Sequence, residues 1–198
     1  MYIDLVRSFS YLGTVVKGND TLEEEIRERI DKANKAFHAN KTLFKSNLAS
    51  RKSNLKLYWS VIRPTVVYGC ETWVLKERII QKLSVFERKL FRPTKEANGI
   101  WRIKTNELDE LIKHRNIINY VKSLRLSWFG HIKRMPETNI VERIYKWKPF
   151  TGRPTGRPKS RWEDDVWNDL KKMKWAEQDQ DRLKWKVIVE NAKTLSEL

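Results

Sequence analysis

Two runs of carboxylates are where metal-assisted chemistry would have to begin in this chain. Glu23-Glu24-Glu25 and Glu163-Asp164-Asp165 each set three acids side by side. Phosphoryl transfer needs two or three carboxylates converging on a divalent cation that neutralises the attacking and leaving oxygens. Both runs, however, fall in the expected first turn of a helix, where the macrodipole favours acids without any metal. Cys70, His38, His114 and His131 lack the paired spacing of a structural zinc site, which takes four ligands. No phosphate-cradling glycine loop and no nucleophile elbow occurs. No metal, no cofactor and no catalytic residue is expected.

A different chemistry is written between Arg143 and Trp162. The run RIYKWKPFTGRPTGRPKSRW holds seven Lys or Arg and not one acid. Burying those cations unpaired would cost each its hydration. Against a polyanion, each phosphate contact instead releases a condensed counterion. Arg153, Arg157, Lys159 and Arg161 are therefore candidate phosphate contacts, and Trp147, with Tyr145 and Phe150 beside it, could stack on bases. The doubled Gly-Arg-Pro is preceded by Thr151 and Thr155, so it lacks the flanking arginine of a minor-groove hook. Generic backbone contact fits better, and a plain basic linker is the alternative.

Composition agrees. Lys and Arg number 41 against 25 Asp and Glu, a net charge of +16 with pI near 9.9. Such a charge speaks of partners rather than fold, and RNA or DNA is the expected partner. Charged residues interrupt every apolar stretch, so no membrane span is expected, and the N-terminus shows no signal-peptide pattern. One cysteine allows no internal disulfide. An intracellular protein is the default, with cytoplasm and nucleus not distinguished.

The elements that would position these groups are mostly helices. Thr21 to Glu24 reads as a capping box, followed by Leu22, Ile26, Ile30, Ala33, Phe37 and Phe44 on one face down to about Lys45. A second helix is expected from Ser50 to Arg63, with Pro64 starting the next or kinking a longer one. Ile79 to Phe91 continues the pattern until Pro93, and residues 93–101 read as a loop. A short helix follows near Glu107 to Lys113, and a longer one from Arg115 to Met135 with Ile117, Val121, Leu124, Trp128, Ile132 and Met135 inward. On its flank Arg115, Lys122 and Lys133 fall together, as a phosphate-facing ridge or simply a solvated face. Ser160 to Glu163 makes a second capping box, with Lys171, Lys172 and Lys174 closing that helix. A last helix, Asp181 to Thr194, would bury Leu183, Val187 or Ile188 and part of Trp185. Ile3 to Val6 and Phe9 to Val16 are the only strand candidates.

Read in order, several phrases resemble the C-terminal part of reverse transcriptases from non-LTR (LINE-type) retrotransposons. Phe9-Ser-Tyr11-Leu12-Gly13 is similar to the hairpin that follows the catalytic palm. Ala36-Phe37, Val61-Ile62-Arg63-Pro64, Tyr68-Gly69-Cys70-Glu71-Thr72-Trp73 and Phe86-Glu87-Arg88-Lys89 resemble the helical thumb. Arg125-Leu126-Ser127-Trp128-Phe129-Gly130-His131 with Arg134-Met135, then Gly156-Arg157-Pro158, Arg161-Trp162-Glu163-Asp164 and Asp181-Arg182-Leu183-Lys184-Trp185, resemble its tail. The likeness runs from about Phe9 almost to the end.

The resemblance implies a mainly α fold: a helical thumb-like bundle with a small N-terminal β remnant and a C-terminal helical region. Residues 1–20 would be a palm or primer-grip remnant, 21–92 the thumb, 93–142 a further helical region, 143–162 a basic connector and 163–198 the C-terminal helices. Tyr11 and Gly13 would lie near a primer backbone. The family's catalytic aspartates precede this hairpin, so no polymerase activity of its own is expected. The implied function is binding of template-primer or element RNA. The alternative is a protein-interaction module that docks on a full-length reverse transcriptase, or another partner, through exposed aromatic helices.

Overall fold

Hydrophobic residues at helical spacing make this chain mainly α. The computed structural model describes residues 8–11, 14–17, 22–46, 49–91, 116–147, 161–173 and 181–194, with only the backbone given for 8–11, 14–17, Lys45 and Arg51. The expected capping residues Thr21 and Ser160, the loop at 93–101 and the helix near Glu107 to Lys113 lie outside them. Two compact units divide at Tyr68 and Gly69.

In the first unit, β1 (Ser8–Tyr11) and β2 (Thr14–Lys17) form an antiparallel hairpin in which Tyr11 pairs with Thr14. The helix α1 (Leu22–Ala39) carries its three acids at the positive end of its dipole. It buries Ile26 and Ala33 completely. Between them Arg29 is also buried, held by Glu25 Oε1 at 2.8 Å and lying 5.2 Å from the Tyr68 ring. The helix stops short of Lys45, because Asn40 leaves the helical conformation and its side chain donates back to the Ala36 carbonyl at 2.8 Å. A short α2 (Lys41–Lys45) follows.

Ser50 caps α3 (Arg51–Leu57) by accepting from the Ser53 amide at 3.1 Å. A π turn, Tyr58–Ile62, then leads into α4 (Arg63–Val67). Pro64 explains the widening. It has no N–H to give the carbonyl four residues back, and its ring crowds that carbonyl. One extra residue in the turn relieves the clash, and the Arg63 amide reaches Tyr58 instead. Tyr58, Ile62 and Val66 stay fully buried through it.

The second unit opens at Gly69, whose φ of 71° suits a residue without Cβ. A 3₁₀ turn (Cys70–Thr72) precedes α5 (Glu77–Leu90). The helix α6 (Ile117–Lys133) is the axis of this unit and packs against the 3₁₀ turn, α5, α7 (Ile140–Lys146), α8 (Trp162–Lys172) and α9 (Arg182–Ala192). Its start is fixed twice: Asn116 accepts from the Asn119 amide at 2.8 Å, and Glu87 Oε2 accepts from the Ile117 amide at 3.0 Å.

Because α6 is central, more than one of its faces is buried. Ile117, Val121 and Ile132 follow the expected stripe, and Lys122, Arg125 and Phe129 are buried as well. Arg125 binds Asp165 Oδ2 at 2.6 Å and Asp169 Oδ2 at 3.4 Å, while Lys122 reaches Asp169 Oδ1 at 2.9 Å. Asp165 also accepts from the Leu75 amide at 2.9 Å. Lys122 thus belongs to the interior. The reading of it as a solvent- or phosphate-facing flank fails, because it assumed a helix buried on one side only.

Phe129 packs with Leu126, Val166, Leu170, Ile188 and Ala192. Rings of Tyr145, Trp162, Trp167 and Trp185 stand 5.2–6.3 Å from it. Trp162 Nε1 donates to the Glu71 carbonyl at 2.7 Å, and Trp185 Nε1 to the Leu126 carbonyl at 2.9 Å. Asp181 caps α9 through the Leu183 amide. The expectation for α9 is corrected in part. Of Val187 and Ile188 it is Ile188 that is buried, but Leu183 is 75% exposed, because Trp185, Ile188 and Ala192 set the docked face.

Trp185 can reach Leu126 only because position 130 is glycine. A Cβ there would fall on the indole itself. We predict that Gly130→Ala destabilises the chain by about 1–3 kcal/mol through overpacking, read as a lower urea midpoint. Ser127→Ala on the exposed side of the same helix should leave the midpoint unchanged. Equal midpoints for both variants would contradict this seat for Trp185.

Candidate nucleic-acid interface

The end of α6, the short α7 and the start of α8 enclose a cleft of about 970 Å³. Ile132 and Lys133 line it from the first, Met135 and Glu137 from the turn that follows, Glu142, Tyr145, Lys146 and Trp147 from α7 and its end, and Arg161, Trp162 and Glu163 from the start of α8. Asn139 positions α7 by accepting from the Val141 amide at 2.9 Å. That helix ends at Trp147, which returns to extended backbone and is 61% exposed. Arg161 is the residue before α8, extended and exposed.

The acid-free window therefore leaves the described structure at Trp147 and re-enters at Arg161, both on this cleft. Lys133, expected on a helix flank, and Trp147 and Arg161, expected from the acid-free window, all line this cleft. Lys122 does not, for the reason already given. Tyr11 is the last residue of β1, with only its backbone described. Gly13, Arg115, Arg153, Arg157 and Lys159 lie outside the described residues.

Most of the lining is held in place by neighbours. The Lys133 ammonium sits 5.0, 5.3 and 5.8 Å from the Tyr145, Phe129 and Trp167 rings, a cation–π arrangement. Lys146 bridges Glu142 at 2.8 Å and Glu137 at 3.1 Å, and these two hydrogen bonds push its ammonium above the ordinary lysine range. The Tyr145 hydroxyl donates to Glu163 Oε1. Burial first, then that hydrogen bond and the negative charges of Glu163 and Glu142, push its phenol upward.

These contacts were not legible in the sequence. Tyr145 and Glu163 lie 18 residues apart with no shared periodicity. Glu163 and Asp165 looked like acids serving only a helix dipole, yet one holds Tyr145 and the other Arg125. Among the described residues no group of three His, Cys, Asp or Glu could hold a metal ion, and Cys70 is buried. Among them, too, no helix is long and apolar enough to cross a membrane.

Compared with known proteins, the chain is similar to an uncharacterized transposon-derived protein of Caenorhabditis elegans. The two are 24% identical over 207 residues, covering 98% of this chain and 74% of that protein. The likeness suggests a transposon-derived origin. No family model matches the chain, and no solved structure matches it.

The raised phenol has a signed consequence. A folded-state value above the ordinary 10.0 means the fold holds a proton that the unfolded chain releases. The associated stability is present below pH 10 and is lost as pH rises beyond it. We predict that Tyr145→Phe flattens the fall in urea midpoint between pH 9.5 and 11, taken as roughly the window in which an unperturbed phenol titrates. Parallel losses in both proteins would contradict the raised, half-buried Tyr145 phenol.

Proposed function

We propose that the chain corresponds to the C-terminal part of a non-LTR retrotransposon reverse transcriptase and binds nucleic acid, template-primer or element RNA, through a basic surface centred on the cleft. The proposal assigns it no catalysis of its own. One observation carries the binding role: a twenty-residue window with seven cations and no acid contributes Tyr145, Lys146, Trp147, Arg161 and Trp162 to one cleft, where they meet Lys133. The ordered phrases shared with that family, together with the transposon-derived relative, support the origin.

Each phosphate contact contributes roughly −0.7 to −0.9 to the slope of log affinity on log salt. Contacts by Arg153, Arg157, Lys159 and Arg161 together would give a slope of about −3. Titrating labelled RNA and DNA at several salt concentrations should show it, and replacing all four by Gln should remove most of it. No binding at low salt, or binding indifferent to salt, would sink the proposal.

One observation favours a second role as a protein-interaction module. Ile140, Ile144 and Trp147 are each at least 61% exposed and recur at helical spacing along α7 and its end. Concentration-dependent self-association abolished by Ile144→Glu would favour it, and a strict monomer in light scattering would count against it.

A further inference from the structure

We propose that the cleft seats an unpaired nucleobase, which makes single-stranded nucleic acid, rather than duplex, the ligand class. This rests on the nucleic-acid reading above and adds to it where the base goes. The charge of the lining is the first argument. In a chain of net charge +16, the cleft itself is balanced, with Lys133, Lys146 and Arg161 set against Glu137, Glu142 and Glu163. A phosphate placed in it would meet Glu142 and Glu163, and Lys146 is already held by Glu142 and by the exposed Glu137. The interior is therefore a poor phosphate cradle. Arg161, exposed at the start of α8, is a lining cation with no carboxylate partner among the described residues to compete with a backbone phosphate.

What the interior does offer is aromatic surface. The polar tips of Tyr145 and Trp162 are both occupied, one by Glu163 and the other by the Glu71 carbonyl. These bonds fix the rings, which also pack against Phe129 and, for Tyr145, carry the Lys133 ammonium, so that the half-buried remainder of each ring is what lines the cleft. Trp147 stands beside them, largely exposed, with no ring neighbour among the described residues. Every base has a π face, so stacking on such rings is tolerant of sequence. A base in a duplex has both faces covered and would have to leave its stack first. A cleft of about 970 Å³ is also within the size range of sites that enclose small ligands, ample for one base with its sugar. Lys146 and the glutamates then supply donors and acceptors for a base edge.

The test uses the full chain and four probes of one length: single-stranded RNA, single-stranded DNA, their duplex counterpart, and a DNA strand whose sugars carry no bases. Either single strand should bind more tightly than the duplex and the baseless strand. Trp147→Ala should weaken single-strand binding by about 5- to 150-fold, the range for loss of one stacked base. It should leave the salt slope unchanged, with Trp147→Phe retaining part of the affinity. Arg161→Gln should instead reduce the slope by about 1 on every probe. Salt-dependent binding that ignores the presence of bases, or that is untouched by Trp147→Ala, overturns the base site and leaves the backbone-binding role standing. Absence of binding to every probe at low salt overturns both.

Discussion

The second unit depends on a guanidinium that never reaches solvent. Arg125 is 1% exposed on the central helix α6, and its partners Asp165 and Asp169 sit one turn apart on α8. Lys122, one turn earlier on α6, completes the set through Asp169. Asp165 passes the constraint on to the Leu75 amide, just after the 3₁₀ turn. Burying these charges costs desolvation, so the network adds little net stability over a well-packed apolar seam. Leaving any one of them unpaired would cost several kcal/mol, roughly 3–5 in comparable cases. We read the network as a register device. Sliding α8 by one residue along α6 would strand both carboxylates, so the start of α8 is fixed against the end of α6. That junction is the cleft.

Around the same axis, the apolar contacts follow. Phe129 lies one turn past Arg125 and gathers four aromatic rings, while Gly130 leaves room for Trp185 to bond the Leu126 carbonyl. The phrases that resemble a retrotransposon thumb and tail thus supply tie points of the fold. Glu87 holds the first amide of α6, Trp162 holds Glu71, and Arg125 holds α8. Such residues are fixed by packing and hydrogen bonding.

Much of this was readable from local pattern. Periodic apolar residues gave most of the helices, and Ser50 and Asp181 cap helices where starts were expected. Asn116 caps α6 one residue past the expected start, whereas α7 with its cap Asn139 was not anticipated. The widening before Pro64 follows from proline chemistry, although the sequence left open whether the helix would restart or bend. Long-range pairing was less visible. Lys122 was misplaced because a charged residue off the main stripe normally faces water, and nothing local announces its partner Asp169, far along the chain on another helix. In the same way Leu183 matches a buried pattern, but the face that docks is set by Trp185 and Gly130. Of the cleft, Lys133, Trp147 and Arg161 were legible by residue type, and their convergence was not.

The central claim is that the two ends of the acid-free window meet at a nucleic-acid site. Ultraviolet crosslinking of the full chain to a labelled oligonucleotide, with the joined peptides read by mass spectrometry, tests it most directly. The account predicts adducts on the peptides that carry Lys133, Tyr145, Trp147 and Arg161. Crosslinks confined to α1 or α5, with those peptides recovered unmodified, would contradict it.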